Sequence, residues 1–294
     1  MTLAPGATPS PGRRVSAARR LAKRGLREAD RAFLAEGPQA VREALAYAAV
    51  CPGAVRDLFV APDADRRHAD LVALAGAAGV TVHRLSTADL ATLSATVTPQ
   101  GVVAVCRFVD VPLSTALAGT PTLVAVLVQV RDPGNAGTVL RAADAAGADA
   151  VVLTEASVDL YNGKAVRASA GSMFHLPVVT GVGTAEAVDA ARSAGLQILA
   201  ADAAGGRDLD EAIDAGQLAA PTAWLFGNEA WGLPAQVAAL ADEVVRVPIH
   251  GRAESLNLAT AAAVCLYASA RAQRRTDSTG AAATRTAGRA GHPR

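Results

Sequence analysis

The chain has 294 residues, half of them hydrophobic, which is room for two ordinary domains, since single cores rarely outgrow about 250–300 residues. Three scattered cysteines (Cys51, Cys106, Cys265) exclude a disulfide framework and a C-x-x-C zinc site, five dispersed histidines form no H-E-x-x-H, and no apolar run can span a bilayer, so the expectation is a cytoplasmic protein with neither metal nor membrane anchor. The net charge of +1 hides a segregation: residues 1–27 hold seven Arg/Lys and no acid, residues 271–294 hold six Arg and one Asp, and the body between them holds 15 basic and 26 acidic residues.

Residues 1–29 read as a basic extension in which "RRVSAARRLAKRGLR" has helical potential and could either contact nucleic acid or simply stay solvated. From about 30 to 109 the pattern alternates in chain order. "AFLAEG" predicts a strand, "PQAVREALAYAA" a helix with Pro38 in its first turn, "AVRDLFVA" a strand and "DRRHADLVALAGAAG" a helix ended by Gly79. "VTVHRL" (strand), "STADLATLS" (a capped short helix) and "GVVAVCRFV" (strand) complete a small α/β domain. Residues 110–121, without periodicity and with two prolines, read as a linker. A second α/β domain over 122–272 opens on "LVAVLVQV", an unbroken apolar strand of the kind buried on both faces of a parallel sheet. Helix signals follow in "NAGTVLRAADAAG", "GKAVRASAG", "PAQVAALA" and from Asn257 onward; strand signals follow in "ADAVVLT", "LQILAAD", "TAWLFG" and "DEVVRVPI". Residues 273–294 read as a disordered basic tail.

In parallel sheets ligands bind beyond the carboxyl ends of strands, and three unusual loops fall at such ends. In "VRDPGNAGTVLRAAD" a helix begins at Asn135, which can cap it; Gly137 leaves the first turn approachable, and Arg141 lies on that face nearly two turns on. In "WLFGNEAWGLP" two glycines flank Glu229 ahead of a Pro-led helix, which suits either backbone brought close to a ligand or a tight turn. In "VPIHGRAESLN" the acid, hydroxyl and amide of Glu254, Ser255 and Asn257 crowd the mouth of the last helix, more polar groups than capping requires. A dinucleotide-binding oxidoreductase lacks support, because "RDPGNAG" has the wrong glycine spacing for G-x-G-x-x-G.

Taken together, N-x-G-x-x-x-R after the first strand, G-N-E-x-x-G-L-P after a later one and P-I-x-x-x-x-E-S-L-N before the last helix resemble the three motifs of the SpoU/TrmH family of RNA ribose 2′-O-methyltransferases, within the SPOUT superfamily. "YNGKAVRASAGSMFHLPVV" is similar to an intermediate run of that family, and "FLAEGPQAVREAL" to the start of its L30e-like substrate-binding domain. The resemblance implies a deep trefoil knot in the second domain, S-adenosylmethionine as cofactor, a homodimer with catalytic residues approaching across its interface, and structured RNA as substrate. It favours 23S ribosomal RNA, with transfer RNA, or a non-catalytic RNA-binding or ribosome-assembly role, as alternatives. By the same resemblance the cofactor is held by Gly227, Val247, Ile249 and Leu256, with the segment from Ala200 to Asp202 on its other side. Arg141, Asn135, Glu229, Ser255 and Asn257 form the catalytic set, Arg141 being the family's usual activating residue. Lys164, Arg167 and Arg131 contact RNA phosphates. A guanidinium stays protonated in proteins, so the role expected of Arg141 is to orient the hydroxyl and bind phosphate, with Glu229 either assisting it or only pinning a loop.

Overall fold

The computed structural model describes residues 11–94 and 96–287. Residues 1–10 and 288–294, the outer ends of the two basic tails, lie outside that range. The chain forms two compact units, one of residues up to Val109 together with Asp159–His175, the other of Asp110–Val158 and the residues from Leu176 onward.

The first unit is built on β1 (Ala32–Glu36), β2 (Val55–Val60), β3 (Thr81–Arg84) and β4 (Val102–Arg107), in the sheet order β1-β4-β2-β3. The Val-rich β4 is buried along five of its six residues and runs antiparallel to both neighbours, while β2 and β3 are parallel. Ser86 caps the Thr87–Ala91 helix by accepting from the Asp89 amide at 3.1 Å. The helix expected over 65–79 is two helices, Pro62–Arg67 and Ala69–Ala77, because Pro62 starts the first one early and the chain breaks at His68. The basic extension also folds, as helices Pro11–Arg20 and Arg24–Asp30, with Val15 and Ala18 on the first and Leu21 in the turn after it buried. Two of its cations are structural. Arg14 pairs with Asp57, and the buried Arg27 donates to the carbonyls of Leu21 and Ala22 and pairs with Asp159.

Residues 159–175, expected within the second domain, complete the aromatic core of the first. Tyr161 stacks on Phe108 at 3.6 Å and lies 4.8 Å from Phe33, whose ring also stacks with Phe174 at 6.1 Å.

The second unit is a seven-stranded sheet of β5 (Leu123–Leu127), β6 (Ala150–Thr154), β7 (Val178–Val182), β8 (Gln197–Ala201), β9 (Arg207–Asp208), β10 (Thr222–Phe226) and β11 (Glu243–Arg246). Its order is β7-β6-β5-β10-β8-β11-β9, and the pairings along it are parallel. The central β5, β6 and β10 are fully buried, as the unbroken apolar runs require. The expected linker belongs to this unit: it contains the helix Leu113–Ala116, buries Ala116 and Leu117 in the core, and donates from the Val111 amide to Val178 at 2.9 Å. The last helix, Leu258–Ala287, passes beyond the expected end at 272. Trp224 on β10 donates its indole N–H to Ser269, Gln273 donates to the carbonyls of Thr122 and Ala220, and Arg274 donates to Ala146 at the end of the Pro133–Ala146 helix. Those bonds hold Gln273 and Arg274 against the body of the unit, which carries the helix past 272. Among the described residues no helix is long and apolar enough to cross a membrane, and no cluster of metal-ligating side chains occurs.

Candidate active site

The strand expected over 123–130 stops at Leu127, because the chain turns through Gln129 in the left-handed region at φ 52. A non-glycine residue there carries strain of about 1–3 kcal/mol and needs support on both sides. The Gln129 amide donates to the buried Thr154 hydroxyl at 3.2 Å, and its carbonyl accepts from the buried Asn228 side chain at 2.8 Å.

This turn delivers the chain to the Pro133–Ala146 helix, whose cap is Asp132 rather than Asn135: the Asp132 carboxylate accepts from the Asn135 amide at 2.8 Å, with Pro133 preset in the first turn. The Asn135 side chain is thereby left for longer-range work. It donates to Glu229 at 3.0 Å and accepts from the Asn257 side chain at 3.0 Å. Glu229 also accepts from the amides of Arg131 and Asp132, each at 3.2 Å. Asn257 in turn caps the last helix, accepting from the Ala259 amide at 2.9 Å. One hydrogen-bonded network thus ties together the three loops that the sequence singles out. Burial alone would push the Glu229 carboxyl up; hydrogen bonds from the Asn135 side chain and from backbone amides outweigh it and hold the group below its ordinary value.

Beside the network lies a cavity of about 600 Å³, lined by Gly227, Val247, Ile249 and Leu256 and by the polar Glu229, Ser255 and Asn257. Ala200 does not reach it: that residue is fully buried in the sheet core, and Ala201, Asp202 and Ala203 line the wall in its place. The size is ordinary for a small-molecule site. Its charge is one-sided, because Asp202, Glu229 and Glu254 line it and no Lys or Arg does, which suits a cationic ligand. Gly227 is needed for a reason other than ligand approach. A Cβ there would stand 2.4 Å from the carbonyl carbon of Gly232 and 2.6 Å from the Leu233 nitrogen, so the glycine lets its own loop fold back. Asn228 and Gly232 close that loop by exchanging two backbone hydrogen bonds of 2.9 Å.

The cationic residues are placed differently. Arg141 is exposed on the Pro133–Ala146 helix, is not part of the cavity lining, and makes no hydrogen bond or ion pair among the described residues. Arg131 is exposed with its guanidinium over the Trp231 ring, 5.8 Å from the centroid. Lys164 and Arg167 belong to the first unit. Lys164 is exposed, whereas Arg167 pairs at 3.2 Å with Glu36, whose side chain is 9% exposed, so its charge already serves the fold. Ser255 is exposed at the cavity and makes no hydrogen bond among the described residues. The sequence reading missed Asp132 as the cap and Trp231 in the cavity wall. An Asp directly before Pro could have marked the true cap, and a tryptophan between two glycine-bearing loop ends could have marked the exposed ring.

Both parts of the chain match known proteins. Residues 122–267 match the model of the SpoU rRNA Methylase family, and residues 34–112 match that for RNA 2′-O ribose methyltransferase substrate binding. The chain is 36% identical over 235 residues to the 23S rRNA (guanosine(2553)-2′-O)-methyltransferase RlmP of Bacillus subtilis, covering 80% of this chain and 87% of that protein. Its fold superposes on the AdoMet-bound rRNA methyltransferase of Sinorhizobium meliloti with a TM-score of 0.74 at 30% identity, over 90% and 97% of the two chains. The SpoU methyltransferase AviRb of Streptomyces viridochromogenes, in complex with AdoMet, gives a TM-score of 0.75 at 30% identity over 90% and 99%.

Proposed function

Since the chain belongs to the SpoU rRNA methylase family, we propose that it transfers a methyl group from S-adenosylmethionine to a ribose 2′-hydroxyl of 23S ribosomal RNA. The observation that carries this reading is the acid-lined cavity roofed by the Asn135–Glu229–Asn257 network. S-adenosylmethionine supplies an already activated methyl on a sulfonium, and the three carboxylates suit its positive charge. The tasks left to the protein are alignment and stabilisation of the hydroxyl as it gains negative charge. Alignment is worth on the order of 7–11 kcal/mol at best. The backbones of Gly227, Val247, Ile249 and Leu256 hold the cofactor, and Ser255 and Asn257 position the ribose at the mouth. A 2′-hydroxyl exists only in RNA, so the substrate class follows from the chemistry.

Arg141 binds the phosphate beside the reacting ribose and stabilises the developing alkoxide with its permanent charge. Because it stands outside the cavity of its own chain, we place it at the cavity of a second copy in a homodimer, with the C-terminal segment of each chain knotted. Lys164 and Arg131 extend the contact with RNA, whereas Arg167, paired with Glu36, is kept for the fold. The location is the cytoplasm, where the three free cysteines stay reduced.

Methyl incorporation from labelled cofactor into 23S ribosomal RNA and into transfer RNA, followed by mapping of the 2′-O-methyl position, tests the proposal. Transfer to a single ribosomal nucleotide is expected. Transfer to transfer RNA alone, or to neither, overturns it. In mixtures of Arg141→Ala with Gly227→Ala chains, partial recovery of activity is expected if each site draws on both subunits.

A further inference from the structure

We propose that Trp231 is a stacking platform for a base of the RNA substrate, with Arg131 beside it to meet the adjoining phosphate. The inference rests on the methyltransferase reading and adds a recognition element to it. Trp231 lines the cavity and is 54% exposed even with the Arg131 guanidinium over its ring. A large aromatic ring left open to water on a soft loop would collapse onto the surface. This loop is not soft. Asn228 is bonded to Gly232 through both backbone groups, its side chain donates to Gln129 and accepts from Ala230 at 2.8 Å each, Asp202 accepts from the Leu233 amide at 3.3 Å, and Gly232 takes a left-handed φ of 67. The ring is therefore held out at the edge of the site, where every nucleobase has a π-face to offer it. Arg131 decides between the two sources of such a base. The cofactor's adenosine carries no phosphate and its sulfonium is positive, so its adenine would bring nothing beside the ring for the guanidinium to pair with. An RNA nucleotide brings a base for the indole and a phosphate for the arginine.

The chain has two tryptophans, and Trp224 is fully buried, so solvent-exposed indole emission reports Trp231 alone. Titration with a short oligoribonucleotide spanning the methylated site is expected to quench that emission, and S-adenosylmethionine alone to leave it unchanged. Trp231→Ala is expected to raise KM for RNA roughly tenfold or more, with kcat and cofactor affinity unchanged, and Trp231→Phe to recover most of the loss. An unchanged KM for RNA overturns the proposal. So does a loss of cofactor affinity, which would assign the ring to the adenine, or dissociation of a dimer, which would assign it to a subunit contact. A wild-type protein that methylates no RNA sinks the underlying reading instead; an active wild type with an unaffected Trp231→Ala variant sinks this inference alone.

Discussion

The side-chain amide of Asn257 donates to the side-chain oxygen of Asn135 at 3.0 Å, joining positions 122 residues apart. Each of the two is also engaged locally, Asn257 as the cap of the last helix and Asn135 as the donor to Glu229. This explains why an apolar terminal helix opens with polar residues: one amide both terminates the helix and fixes its mouth to the loop after β5.

The two duties are separable by mutation. Asn257→Ala loses the cap and the link together and is expected to cost about 1–2 kcal/mol of stability along with most activity. Asn257→Asp keeps an oxygen for the Ala259 amide but has no donor for Asn135. Denaturant unfolding is expected to show it near wild-type stability, while methyl transfer falls at least tenfold. Wild-type turnover in Asn257→Asp would show that the link has no part in catalysis.

Arg141 makes no internal polar contact among the described residues, so its removal has little to destabilise. Arg141→Ala is expected to unfold within about 0.5 kcal/mol of wild type, as for ordinary surface changes. Its kcat is expected to fall on the order of 100- to 1000-fold, as for loss of one charge-stabilising donor. Arg141→Lys keeps the charge without the planar fork and is expected to fall between the two. A stable variant with unaltered kcat would remove Arg141 from the reaction.

Gly227→Ala puts a methyl into backbone rather than into a yielding side chain. Overpacking of this kind costs about 1–3 kcal/mol, and cofactor affinity measured by calorimetry is expected to drop as the loop is forced open. Gly251→Ala is the control, because nothing lies within 4 Å of a Cβ there. Equal behaviour of the two variants would contradict the close approach of Gly227 to Gly232.

The carboxyl of Glu229 is held below its ordinary value of 4.5, so folding favours its charged form. The stability it contributes is fully present above about pH 4.5 and is lost as pH falls through the lower folded value. The stability difference between wild type and Glu229→Gln is expected to stay flat at neutral and mildly acidic pH and to shrink only below that point. A difference that already shrinks between pH 7 and 5 would mean that the carboxylate is not held by the three loop donors.

Most elements were legible because their periodicity is local: the buried β4, β5, β6 and β10 are runs of Val, Leu and Ala, and Ser86 announces its own helix. What sequence could not supply depends on partners far along the chain. The end of β5 is set by Gln129 in a conformation that a glutamine adopts only because Thr154 and Asn228 hold it. Asn135 looks like a cap from its neighbours alone, and only the structure shows Asp132 taking that duty. β7 and the Thr184–Ser193 helix went unread because "VVTGV" contains a glycine and the helix after it lacks a side-chain cap. In the candidate site the three loops were readable as motifs. The reason for Gly227, the fully buried Ala200 and the exposed Trp231 are matters of packing, which a linear string does not express.

The aromatic cluster of Phe33, Phe108, Tyr161 and Phe174 has a consequence for anyone who would take the protein apart. The polypeptide passes between its two units at 109/110, 158/159 and 175/176, so no single scissile bond releases either one intact. An amino-terminal fragment ending near Val109 would leave Phe33 and Phe108 bare of Tyr161 and Phe174, inviting aggregation. Shuffling at a lone junction therefore cannot exchange either unit without cutting into the other.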